Sequence, residues 1–128
     1  MEREKLEAIG KQIVDAAYQV HKTLGPGLLE STYERCMFVE LLERGLKVTR
    51  QVRLPIIYKG KQIDEGYRLD LLVENEVIIE LKTVETILPV HVAQLISYLK
   101  LSGKRLGYLI NFNVELIGNG IQRKVNKL

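Results

Sequence analysis

The spacing of apolar side chains changes period along the chain, and the changes lay out its elements. From Glu2 to Leu24 the positions Leu6, Ile9, Ile13, Ala17, Val20 and Leu24 recur at three- and four-residue steps, the pattern of an amphipathic helix. Gly25-Pro26-Gly27 ends it and reverses the chain. A second helix follows to about Arg44, with Gly45 as its stop. From Leu46 the period drops to two. "LKVTRQVRLPIIYKGKQI" alternates like a strand pair around a Lys59-Gly60 turn. Pro55 cannot donate to a ladder, so its strand lies at an edge or begins after it. Tyr67–Val73 and Val77–Lys82 form the next pair. Pro89 suits the first turn of a helix running to about Leu101, with Gly103 beyond. Leu106–Phe112 reads as a near-continuous apolar strand, and "IQRKV" adds a last, basic one. The order ααββββαβ(β) predicts an α/β (α+β) domain over residues 1–128, a mixed sheet of four to five strands with helices on its faces.

The stretch "YRLDLLVENEVIIELK" contradicts its own apolar character by carrying Asp70, Glu80 and Lys82. Buried charges must pair, bind a metal or reach water. Alternation puts Glu80 and Lys82 on one face of their strand, with Leu81 opposite. A two-residue loop at Asn75-Glu76 would pair Asp70 with Leu81 and turn it away. A three-residue loop, Glu74-Asn75-Glu76, pairs Asp70 with Glu80 and Leu72 with Ile78, so the charges converge. The odd-length loop is the expectation, with an Asp70–Lys82 pairing of the same parity as fallback. Two adjacent carboxylates each resist ionising, and a hard divalent cation relieves the conflict. A lysine beside them can orient water and balance charge on a phosphate, which is the chemistry of metal-assisted phosphodiester hydrolysis. Spacing alone fits a plain Asp70–Lys82 or Glu80–Lys82 ion pair at a strand end somewhat better.

Composition narrows the field modestly. The 128 residues are 46% hydrophobic and 27% charged, ordinary for a globular domain. Cys36 is the only cysteine, which excludes an internal disulfide or a cysteine-rich metal site within one chain. It reads as a small core residue. No apolar run is long enough to span a bilayer, and "MEREKLEAIG" is charged where a signal peptide is apolar; a cytoplasmic location is expected. Basic residues concentrate late: six Lys/Arg against eight Asp/Glu up to Gly45, thirteen against eight afterwards. An anionic partner would meet the later part. No G-x-S-x-G elbow, phosphate loop or H-E-x-x-H helix occurs.

Asp70…Glu80-Leu81-Lys82 resembles the D…(D/E)xK signature of the PD-(D/E)XK nuclease superfamily, with Leu69 where the signature has proline. Gly27-x-x-Glu30-x-x-Tyr33 within "GPGLLESTY" matches the motif of that superfamily's GxxExxY family. The likeness extends through "HVAQLISYLKLSGKRLGYLINFN" and "GIQRKV". The resemblance implies a restriction-endonuclease-like core, with Mg²⁺ or Mn²⁺ held by Asp70, Glu80 and the Leu81 carbonyl. Lys82 is then the catalytic lysine. Glu30 resembles the extra acidic residue of such nucleases, holding the ion through water or binding a second one. Tyr33, on the same helix face, would bond a phosphate or orient Glu30. Gln94 and Tyr98 resemble the Q-x-x-x-Y pair of exonuclease-type members, placed beside the metal.

Each has a plainer reading. Ser31-x-x-Glu34 fits a capping box that would leave Glu30 just before its helix, and Tyr33 or Tyr98 could simply pack on the core. His91 could act as a base, though a helix-end role suits it better; His21 reads as favouring the negative end of its helix.

The function expected is a nuclease on nucleic acid, DNA before RNA. Lys100, Lys104, Arg105 and Arg68 would contact its backbone, with Lys59, Lys61, Arg123 and Lys124 as further candidates, and a homodimer would follow by analogy. A binding module without turnover would bind with steep salt dependence and cut nothing. An interaction protein with a structural ion would be stabilised by metal and ignore nucleic acid.

Overall fold

The computed structural model describes residues Met1–Leu128. Two helices come first, α1 (Arg3–Leu24) and α2 (Glu30–Glu43), then β1 (Val48–Arg53) and a small hairpin of β2 (Ile56–Tyr58) and β3 (Lys61–Ile63). β4 (Arg68–Val73), β5 (Val77–Lys82), α3 (Pro89–Ser102) and β6 (Leu106–Asn111) follow, and a 3₁₀ turn (Ile117–Gly120) leads into β7 (Ile121–Val125). The main sheet has five strands in the order β1-β4-β5-β6-β7. Only β5 and β6 run parallel, joined across the sheet by α3; the other neighbours are antiparallel. The whole is a mixed α/β arrangement consistent with a restriction-endonuclease-like fold.

Two cores sandwich the sheet. On one face α1 and α2 bring Leu6, Ile13 and Met37 against Leu71, Ile79, Leu81 and Ile110. On the other, α3 packs Leu95 and Leu99 against Leu72, Ile78 and Leu109. Helices on both faces explain why β5 is apolar throughout its first half. No helix is long and apolar enough to cross a membrane.

Pro55 marks a real break. β1 stops at Arg53 on the sheet edge, and β2 and β3 form a separate two-stranded sheet around Lys59-Gly60. Leu54 still donates to the Tyr67 carbonyl at 2.9 Å, so the hairpin is tied at its base.

The capping box that Ser31-x-x-Glu34 could have made, the plainer alternative for this stretch, does not form. Leu29 is the extended residue before α2, and Glu30 is already helical. Glu34 instead is buried, and its Oε2 accepts from Arg50 at 2.9 Å and its Oε1 from Gln51 at 2.5 Å. A long-range ion pair from β1 outcompetes the local cap.

Candidate active site

The β4–β5 loop is Glu74-Asn75-Glu76, with Val73 opposite Val77, Leu72 opposite Ile78 and Leu71 opposite Ile79. Glu74 and Asn75 adopt left-handed φ values of 53° and 55°, a region that asparagine tolerates better than most non-glycine residues and glutamate does not favour. This register continues to set Asp70 opposite Glu80, yet the ladder stops one pair short of them. Side chains take over its bonding. The Asp70 N–H donates to Glu80 Oε2 and the Leu81 N–H to Asp70 Oδ2, both at 2.8 Å. Each carboxylate thus caps the other strand, and the second oxygen of each takes no hydrogen bond from the protein.

The other flank of Asp70 is also unzipped. β1 pairs Arg50 with Leu71 and Val52 with Leu69, but Gln51, which faces Asp70 between them, is unpaired. Gln51 has φ 51°, a left-handed backbone costing a non-glycine residue roughly 1–2 kcal/mol. Leu69 and Leu71 share parity but pack into opposite cores. β4 therefore twists sharply at Asp70, and both neighbouring strands release it there.

Burial is the main cause of what happens to the two carboxyls. Asp70 is pushed up to about 6 by desolvation, helped by Glu30 and Glu34 and opposed by the Leu81 N–H. Glu80, only 4% exposed, is pushed up to about 8 by desolvation and then by Asp70. Lys82 lowers both without cancelling either shift. None of the molecule's four ion pairs includes Lys82, so the plain ion-pair reading is not what is found. Its Nζ donates to Gln94 Oε1 at 3.5 Å.

Glu30 begins α2 and is half-buried. Desolvation raises its carboxyl against the pull of Lys82, and its charge is felt at Asp70 and Glu80. No three His, Cys, Asp or Glu side chains approach closely enough to hold an ion by themselves. Glu30 thus forms no ready-made three-acid cluster with Asp70 and Glu80. The donor set fits a hard cation: two resisting carboxylates, each with an oxygen to spare, beside the Leu81 backbone.

Tyr33 departs from expectation. It is fully buried, its ring stacked on Phe112 at 4.5 Å. Its hydroxyl donates to the Gly25 carbonyl at 2.5 Å and accepts from the Leu28 N–H at 3.2 Å. With its hydrogen bonds spent on the turn, it bonds neither a phosphate nor Glu30. His91 Nδ1 accepts from the Leu88 N–H at 2.9 Å, which gives it the helix-start role. His21, with a ring nitrogen 2.8 Å from the Val114 carbonyl, fastens the chain before the 3₁₀ turn. Tyr98 is buried against Tyr67, and its hydroxyl is pushed up by desolvation and then by the charge of Glu80.

The basic candidates divide. Arg68 starts β4 on the carboxylate side. Lys100, Arg105 and Lys127 line a concavity beside Leu106, whose strand partner is Val77; with Lys104 they gather at the opposite end of β5 from Lys82. Arg123 is engaged by Glu7 at 2.8 Å. Lys59 and Lys61 ride on the small hairpin, and Lys124 on the edge strand β7. The largest cavity, about 790 Å³, lies between α1 and the 3₁₀ turn, away from the carboxylates.

Sequence reasoning missed Glu34, Arg50 and Gln51 as neighbours of the site. The four-residue step from Glu30 to Glu34 was the available signal. A family model described as the PD-(D/E)XK nuclease superfamily matches residues 7–124 of the chain. No curated protein and no solved structure matches it.

Proposed function

We infer the function from one premise: this chain belongs to the PD-(D/E)XK nuclease superfamily. It is a metal-dependent nuclease of the GxxExxY type, hydrolysing phosphodiester bonds of nucleic acid, DNA before RNA. The observation that carries this reading is the reciprocal capping of Asp70 and Glu80 where the β4–β5 ladder stops. It fixes two repelling carboxylates side by side and leaves an oxygen of each uncommitted, next to an ammonium without an acidic partner.

Asp70, Glu80 and the Leu81 carbonyl would hold Mg²⁺ or Mn²⁺, which when bound supplies charge neutralisation at the phosphate and a more acidic water. Lys82 Nζ, steadied by Gln94, orients the attacking water and balances the charge developing on the phosphoryl oxygens. Water oxygen bonds to phosphorus as the P–O bond to the leaving nucleotide breaks; the attacking water gives up one proton to bulk solvent, and the departing oxygen takes one from solvent. Glu30 accepts a hydrogen bond from water at the mouth of the site.

Wild type and Lys82→Ala should be incubated with single-stranded, duplex and branched DNA and with RNA, in Mg²⁺ and in Mn²⁺. Cleavage by the wild type and a loss of at least a hundredfold in the variant are expected. Equal cleavage by both proteins would assign the activity elsewhere. Tight, salt-sensitive binding with no cleavage would favour the binding module.

A further inference from the structure

Beside the carboxylates lies a concavity of about 420 Å³ with a different chemistry. Its floor is the outward face of α3, where Val90, Ala93, Ser97 and Leu101 recur at three- and four-residue steps. Val90 is 64% exposed and Leu101 44%. Ile56, at the root of the small hairpin, and Tyr67 close the opposite side. Gln94 and Tyr98 belong to its wall and also to the candidate active site: Gln94 bonds Lys82, and Tyr98 senses Glu80. No charged side chain lines it. A phosphate would find no cation there, whereas a flat, mostly apolar ring would find apolar and aromatic walls.

Tyr67 is the residue best placed to receive such a ring. It meets Tyr98 edge-on, with centroids 6.1 Å apart at 67°. Tyr98 is thereby buried, while Tyr67 keeps 42% of its surface exposed. The Tyr67 carbonyl is anchored by Leu54, and its chain leads through β4 to Asp70 three residues on. The exposed aromatic is therefore held at a fixed offset from the carboxylates. Aromatic faces bind unpaired bases by stacking with little regard to sequence, and Ser97 and the Gln94 amide offer polar groups for a base edge.

We propose that this pocket takes an unpaired nucleobase next to the phosphodiester presented to Asp70 and Glu80, so that the substrate class is single-stranded nucleic acid or a frayed end. A base inside an intact duplex is stacked on both sides and cannot enter unless extruded. The proposal rests on the nuclease reading above.

The test uses oligonucleotides in two forms. For binding, a 2-aminopurine is placed at successive positions and mixed with Lys82→Ala protein and divalent metal. One position should be quenched severalfold in single strands and not within an intact duplex. The quench should vanish when Tyr67→Ala or the pocket-filling Ala93→Leu is added, and persist with Tyr67→Phe. For turnover, an abasic residue replaces each nucleotide in turn with the wild-type enzyme. Cleavage should fall roughly ten- to hundredfold at one position. Cleavage that ignores base removal everywhere overturns the pocket and spares the nuclease. A position-specific quench without cleavage in Mg²⁺ or Mn²⁺ overturns the nuclease and leaves the base pocket standing. Absence of both the quench and the cleavage overturns the proposal.

Discussion

Glu80 sits among the apolar side chains of β5 with its carboxyl held up to about 8, against an ordinary 4.5. The native protein keeps this proton across a range in which the unfolded chain has released it. Folding therefore takes up protons between those two values, so stability falls as pH rises through them and levels off above about 8. Asp70, held up to about 6, adds to the lower part of the same slope. Glu80→Gln should gain about 2–4 kcal/mol at pH 8 and little at pH 4, measured by urea unfolding at each pH. A wild-type protein with no loss of stability over this range would contradict the burial argument. Mn²⁺ competes for the same charge, so it should raise the wild-type Tm more at pH 8 than at pH 5. It should raise that of Glu80→Gln far less.

At the scale of elements, the site depends on how strands end. β5 continues past its last pair with β4, and the segment after Lys82 is held by Asn111 of β6. The Asn111 side chain, 2% exposed, accepts from the Val84 N–H at 3.1 Å, donates to the Val84 carbonyl at 2.8 Å and accepts from the Asn113 N–H at 3.2 Å. Asn111→Ala should cost about 2–4 kcal/mol through the groups left unpaired, and hydrogen exchange should show the Val84 amide losing protection. If that amide exchanged no faster in the variant, Asn111 would not be the clasp. The β4–β5 pairing was legible in the sequence because strand parity and a countable loop leave few registers. The start of α2 was not. Ser31 and Glu34 are good capping residues locally, but Glu34 is claimed by Arg50 and Gln51, sixteen and seventeen residues away. Of the two readings open for Tyr33, packing on the core is the one found; its face could be inferred, whereas the carbonyl of Gly25 waiting to accept its hydroxyl could not.

Across the whole molecule, element order was readable and charge placement was not. Helix and strand periods fix which segments exist, and the mixed sheet follows from packing them. Where lysines and arginines finally lie depends on strand order. The parallel β5–β6 pairing carries Lys100 and Arg105 to the end of the sheet away from Lys82, and Glu7 takes Arg123 out of contention. One further property follows from the shortness of the hairpin that bears Asp70 and Glu80. The pair lie ten positions apart in sequence, and hairpins of this kind close in about 1–10 μs, long before a five-stranded sheet can assemble. The two acids thus meet while still wet, and their quarrel becomes costly only once the helices seal the sheet. Divalent ions should accordingly leave the refolding rate nearly unchanged and slow unfolding, as stopped-flow chevrons with and without Mn²⁺ would reveal; acceleration of refolding alone would mean that the ion is captured early.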